Sequence, residues 1–174
     1  MRVLVTGFGP FPGVPDNPSG RLARSVDGAR IGDAIVTGIE LPVHWDRGPD
    51  GALHAARELD AALVVGLGVA MGRAGVQVER RAVRVEVGRP DARGEVAARL
   101  EGPQEVRATL DTTRLASALG ARVSDDAGRY VCNAWLYRVT SGLRVPVGFV
   151  HIPAEGLARH RLLGGLRALI EGAA

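Results

Sequence analysis

An α/β fold with a mostly parallel sheet is predicted from three observations. Near-continuous apolar runs at Arg2-Val3-Leu4-Val5-Thr6, Ala62-Leu63-Val64-Val65-Gly66-Leu67 and Val147 to Ile152 read as strands buried on both faces. Segments of helical spacing alternate with them. Loops dense in Gly and Pro separate the two kinds of segment. Such alternation puts helices on both faces of one sheet. The 174 residues are expected to form a single domain, 1–174, because domains commonly hold about 100–200 residues.

The elements follow in chain order. The first strand, residues 2 to 6, runs into a Gly- and Pro-rich loop from Gly7 to Ser19. Ser19 can cap a short helix through about Val26. Ala34 to Val43 reads as a second strand, and Asp46 to Leu59 as a helix with Leu53, Ala56 and Leu59 on one face. The strand 62–67 precedes a glycine-rich loop to Gly75. Between Val76 and Val87 the pattern alternates: Val83, Val85 and Val87 share one face, Arg84 and Glu86 the other, as in a half-exposed strand. Pro90 to Gln104 reads as loop. Thr112 to Leu119 reads as a helix, Ala121 to Val123 as a short strand, and Val131 to Thr140 as a helix. Val147 to Ile152 is a strand, and Leu157 to Ile170 a closing amphipathic helix. In parallel sheets, sites gather at the C-terminal ends of strands. Thr6, Leu67 and His151 stand at such ends.

Composition narrows the chemistry. All 22 basic residues are arginine, so lysine Schiff bases and lysine-dependent phosphate loops are excluded. Net charge is +3, and the arginines interleave with acids, as in Ala92-Arg93-Gly94-Glu95. A nucleic-acid binder would carry a clustered basic stripe with aromatics; with 4% aromatics and no stripe, no nucleic-acid partner is expected. No apolar run approaches a membrane span, so no membrane partner is expected. Arg2 to Thr6 is too short for a signal peptide and runs straight into a turn. The single cysteine cannot form an internal disulfide, and a cytoplasmic location is expected.

That cysteine, Cys132, stands at the head of the helix beginning at Val131. A lone cysteine is commonly a small buried hydrophobe. It is also a candidate nucleophile, because a helix N-terminus favours a thiolate and a histidine can take the proton. Of the four histidines, His54 and His160 lie in charged helical stretches and read as surface residues. His44, beside Trp45, is ambiguous. His151 ends an apolar strand, where it is either a base or a satisfied structural histidine. A base needs an acceptor on its second nitrogen. Glu79 is the best candidate; the competing reading pairs it with Arg80 or Arg81 on the surface. Gly7-Phe8-Gly9-Pro10-Phe11-Pro12-Gly13 carries two of the three phenylalanines. They can line an apolar pocket or plug the end of the sheet. Asn17-Pro18-Ser19 can cap the next helix.

Several of these segments occur in a recognisable order. Thr6-Gly7-Phe8-Gly9-Pro10-Phe11, Asn17-Pro18-Ser19, Gly72-Arg73, Glu79-Arg80, Arg89-Pro90-Asp91, Val131-Cys132-Asn133 and His151-Ile152-Pro153 together resemble the pyroglutamyl peptidase I family. The resemblance implies a three-layer α/β/α sandwich, similar to purine nucleoside phosphorylases, and a cysteine peptidase that removes N-terminal pyroglutamate from peptides. It implies Cys132 as nucleophile, His151 as base and Glu79 as its orienter. It implies Phe8 and Phe11 as walls around the lactam ring, Asn17 as a polar contact, and Arg89 as oxyanion or carbonyl support. No cofactor or metal is implied; a homodimer or homotetramer is. The chain departs from the family pattern at Pro12, Met71, Gln77, Val78 and Arg84, and is shorter around Cys132. Two other readings compete: a weakly catalytic pyroglutamyl-binding protein, and a nucleoside phosphorylase-like enzyme on the related sandwich.

Overall fold

The structure, a computed structural model, describes residues 1–85, 89–96 and 100–172. Its elements are β1 (Arg2–Phe8), α1 (Pro18–Ser25), β2 (Arg30–Ile31), β3 (Ala34–Leu41), α2 (Arg47–Glu58), β4 (Leu63–Val69), β5 (Gln77–Glu79), β6 (Arg81–Val83), β7 (Glu105–Arg107), α3 (Thr112–Leu119), β8 (Arg122–Ser124), α4 (Val131–Gly142), β9 (Val147–Ile152) and α5 (Arg159–Glu171). Seven strands form one sheet in the order β2-β3-β1-β4-β9-β5-β8. Strands β3, β1, β4 and β9 run parallel. β2 opposes β3, and β5 opposes β9 while running parallel to β8. The mostly parallel α/β sheet expected from the sequence is present.

The period of two along each strand sorts its side chains into separate cores. On one face Val3, Val5, Val65, Leu67, Val150 and Ile152 pack under α1, α3 and α5, through residues such as Leu22, Leu115 and Leu162. On the other face Leu4, Val64, Val147 and Phe149 pack under α2 and α4, through Ala52, Ala56, Trp135 and Leu136. This is the three-layer sandwich. Burial of a side chain such as Leu136 or Phe149, each at 0% exposure, contributes roughly 1.5–3 kcal/mol.

Four local differences from the sequence reading matter for the site. Strands β1 and β4 run on to Phe8 and Val69, beyond the expected ends at Thr6 and Leu67. Asn17 rather than Ser19 caps α1, accepting from the Ser19 N–H at 3.0 Å, with Pro18 in the first turn. The alternating stretch from Val76 is not one strand. β5 stays in the main sheet, the chain leaves it at Arg80, and β6 pairs antiparallel with β7 in a separate two-stranded sheet. Alternation reports which faces side chains take and is blind to a change of partner strand. Glu86 and Val87 lie outside the described residues, as do residues 97–99 of the expected loop. Strands β2 and β7 carry no apolar run of their own and are made by their partners.

Candidate active site

The floor of the site is set by strand register. Phe149 and His151, two apart on β9, share the face covered by α4. In the antiparallel β5–β9 pair Glu79 stands opposite Phe149 and Gln77 opposite His151. Glu79 and His151 are therefore diagonal neighbours on one face, within reach of each other. His151 Nδ1 lies 2.8 Å from Glu79 Oε1. Their side chains are 6% and 0% exposed. The surface reading of Glu79 fails: Arg80 bonds Asp125, and Arg81 bonds Glu105. With Nδ1–H donated to the carboxylate, Nε2 is left for the thiol. Arg73 Nη1 approaches the same Glu79 oxygen at 3.6 Å, while also donating to the Asp126 carbonyl at 2.7 Å.

Cys132 is the second residue of α4, whose N-cap, Tyr130, supplies no side-chain hydrogen bond. The first-turn N–H groups, that of Cys132 included, thus lack a side-chain cap. Asn133, fully buried, locks this turn in place: its Nδ2 donates to the Val83 carbonyl and its Oδ1 accepts from the Val83 N–H, both at 2.8 Å. The helix comes close to the sheet because β4 presents glycines beneath it. A Cβ at Gly68 would stand 2.8 Å from Cys132 Sγ, and one at Gly66 2.5 Å from the Phe149 ring. Gly68 is paired with His151 in the sheet. The bare glycine thus makes room for the sulfur beside the imidazole. Burial pulls the His151 pKa down, but its hydrogen bonds to Cys132 and Glu79 outweigh it and raise the value to about 9. The imidazolium is favoured by a partner on each side.

Above this floor is a cavity of about 230 Å³. Its lining includes Phe8, Phe11, Asn17, Arg89, Cys132 and His151, so every candidate site residue except Glu79 reaches it, and Glu79 lies directly beneath. Phe8, at the end of β1, has its ring centroid 6.5 Å from that of Phe149, tilted by 42°, and also belongs to the core. Phe11 is half-buried in the loop beyond. Asn17 is 4% exposed; its Nδ2 donates to the Gly9 carbonyl at 2.9 Å and its Oδ1 receives Ser19, so it braces the Phe8–Phe11 loop as well as capping α1. Arg89 is exposed, with its guanidinium 4.3 Å from the Tyr130 ring centroid.

His54 and His160 are exposed, as expected. His44 is half-buried and outside this cavity; burial, then Arg93, lowers its pKa. Sequence reasoning did not give Tyr130, Met71 and Arg129 as cavity walls, nor Asn133 and Arg73 as braces. Arg73 and Asn133 stood inside the motif segments, which was the available signal. A larger depression of about 590 Å³, between Leu53, Tyr137 and Arg138, holds none of the thiol, imidazole and Glu79 chemistry. Among the described residues no cluster of three or more His, Cys, Asp or Glu could hold a metal ion, and no helix is long and apolar enough to cross a membrane.

A thiol, an imidazole and a buried carboxylate in line are the parts of a covalent hydrolase. Residues 1–156 match the profile of the family described as pyroglutamyl peptidase. A pyrrolidone-carboxylate peptidase of Cupriavidus pinatubonensis is 37% identical, with 91% of this chain and 82% of that protein aligned. A mutant pyrrolidone carboxyl peptidase from the hyperthermophile Pyrococcus furiosus superposes with a TM-score of 0.84 at 28% identity, covering 98% of this chain and 97% of that one. The pyrrolidone carboxyl peptidase from Thermococcus litoralis gives 0.85 at 26% identity, covering 98% and 91%. This chain therefore belongs to the pyroglutamyl peptidase family of cysteine exopeptidases.

Proposed function

We propose that Cys132, His151 and Glu79 carry out the family's reaction, removal of an N-terminal pyroglutamyl residue from peptides, as nucleophile, general base and acid, and orienter. The observation that carries this reading is the Glu79–His151 contact at 2.8 Å beneath a cavity that holds Cys132 and two phenylalanines. The Cys132 sulfur attacks the carbonyl carbon of the pyroglutamyl residue, its proton being held by His151. The tetrahedral oxyanion is met by the uncapped Cys132 N–H at the start of α4, with Arg89 as a second donor. His151 passes its proton to the leaving amine as the C–N bond breaks, which leaves a thioester. Water, deprotonated by His151, then releases pyroglutamate and the thiol.

The neutral lactam ring fits between Phe8 and Phe11. Asn17 holds the loop that carries them and offers a polar contact at the wall. A prolyl residue lacks the ring carbonyl and leaves the ring's polar partners unpaired, which is how such a site rejects it. A nucleophile that must stay a free thiol suits a reducing compartment, so a cytoplasmic location is proposed with it. A homodimer or homotetramer, implied by the family resemblance, is checked by light scattering.

Hydrolysis of a fluorogenic pyroglutamyl amide, beside its prolyl analogue and the Cys132→Ala variant, tests the reading. Release from the pyroglutamyl substrate alone, lost in the variant, is expected. Binding of pyroglutamate without turnover by the reduced, folded protein would overturn it.

A further inference from the structure

The charge on the rim of the catalytic cavity is unbalanced. Three arginines line it, Arg73, Arg89 and Arg129, and no aspartate or glutamate does among the described residues. Arg73 is consumed internally: its Nη2 pairs with Asp126 at 3.2 Å and its Nη1 lies 3.6 Å from Glu79. The loop leading to α4 supplies acids, but they are spent elsewhere. Asp125 pairs with Arg80, and Asp126 with Arg73. Arg129 and Arg89, both exposed, have no carboxylate partner among the described residues. Arg89 rests on the Tyr130 ring, which positions its guanidinium without neutralising it. Arg129 lies just before the helix that carries Cys132.

These two cations flank the nucleophile, whereas the lactam end of the substrate is neutral. A neutral lactam offers a guanidinium a carbonyl to hydrogen-bond but no charge to balance it. The part of the substrate that can carry charge is the leaving peptide, on the far side of the scissile bond. We infer that Arg129, beside the positive charge of Arg89, selects leaving groups that carry a carboxylate close to the scissile bond. This rests on the peptidase reading above and names its substrate class: pyroglutamyl peptides whose next residue is acidic, or pyroglutamyl dipeptides with a free C-terminus. Both sources present the same carboxylate. The guanidinium is suited to it because its donors form a planar fork matching two oxygens. Arg129 is a specificity residue here and takes no part in bond making or breaking.

The test measures kcat/KM for two matched substrate pairs on the wild-type enzyme at low salt. One pair is pyroglutamyl-alanine and its C-terminal amide; the other is pyroglutamyl-glutamate amide and pyroglutamyl-glutamine amide. At least one acid-bearing member is expected to exceed its neutral partner by roughly fivefold, the scale of a partly exposed charge pair. The first pair reports a terminal carboxylate, the second a side-chain one. The preference should shrink toward one in about 1 M salt, where the Debye length falls to about 3 Å. It should also shrink in Arg129→Gln, chiefly through KM. A merely structural role for Arg129 would slow both members of a pair alike and leave their ratio unchanged. Equal hydrolysis of both members in both pairs overturns the inference and leaves the peptidase reading standing. Hydrolysis of none of the four overturns the peptidase reading itself.

Discussion

Glu79 and His151, at the bottom of the cavity, lie on paired strands with side chains 0% and 6% exposed. Phe11, Arg89 and Arg129, around its mouth, lie on loops and are half-buried or exposed. At the bottom, register decides geometry. A slip of one residue between β5 and β9 would send Glu79 to the opposite face, so the Nδ1–Oε1 contact is as well determined as the sheet. At the mouth, few contacts define each side chain, and selectivity can change without disturbing the chemistry. A bottom built for reaction and a mouth built for choice should therefore fail in different ways.

The largest effect is expected at the sulfur. Cys132→Ala should lower kcat/KM by about 10⁴-fold or more, with the melting temperature nearly kept, because the sulfur is only partly buried. Steady-state kinetics beside a thermal melt checks both halves. His151→Ala should come close to the same loss. An active Cys132→Ala variant would remove the thiol from the mechanism.

Glu79→Gln should cost about 10²- to 10³-fold, since an amide neither holds the tautomer as firmly nor offsets the imidazolium charge. Its second readout is pH. The hydrogen bonds to Cys132 and Glu79 raise the His151 pKa to about 9 against the pull of burial. Loss of the proton needed by the leaving amine should then place the alkaline limb of kcat/KM near 9. Removing the Glu79 charge should move that limb to lower pH. The same raised pKa contributes stability that is complete below about 6.5, the ordinary histidine value, and is lost as pH rises through about 9. The melting temperature of the wild type should fall over that interval, and less so in the variant.

A smaller loss is expected from the β4 glycine under the sulfur. A Cβ at Gly68 would meet Cys132 Sγ at 2.8 Å, closer than real Cβ atoms come. Gly68→Ala should displace the sulfur from His151, and a misplacement of this order costs roughly 10²-fold. Alkylation of the single thiol by iodoacetamide should slow along with turnover. If both rates match the wild type, the tight approach of α4 to β4 is not what sets the thiol's position.

The bottom and the mouth also differed in how far they could be read from the sequence. The strands that carry His151 and the helix that carries Cys132 were legible because their apolar spacing is local. The edges Val147–Ile152 and Thr112–Leu119 fall where the pattern puts them. Glu79 was ambiguous as an isolated residue, since it is buried between β8 and β9, which are distant in the chain. The resemblance pointed to it, and the register explains it. The split between β5 and β6 left only a change of phase in the sequence: Val76 and Val78 stand at even positions, Val83 and Val85 at odd ones, and the change of partner strand falls between them. Asn133 was hidden for a related reason: its bonds go to Val83, a backbone partner that no side-chain pattern announces. The mouth residues Met71 and Arg129 sit in loops whose course is set only once the sheet is built.

The two phenylalanines bring the comparison to its smallest expected effect. Phe8 ends a strand, is 3% exposed and packs into the core beside Phe149. Phe8→Ala should therefore destabilise the fold by roughly 3–5 kcal/mol as well as damage the pocket. Phe11 lies in the loop held by its bridge to Val14 and by the Asn17 bond to Gly9, and is half-buried. Phe11→Ala removes a wall of the lactam slot without opening the core. Its contact with the ring is made equally in the ground state and in the transition state. The loss should thus appear as a KM raised about tenfold, with kcat changed little and the melting temperature within a few degrees of the wild type. A fall in kcat with KM unchanged would mean that Phe11 acts on the reacting carbonyl, and that the mouth takes part in the chemistry assigned here to the bottom.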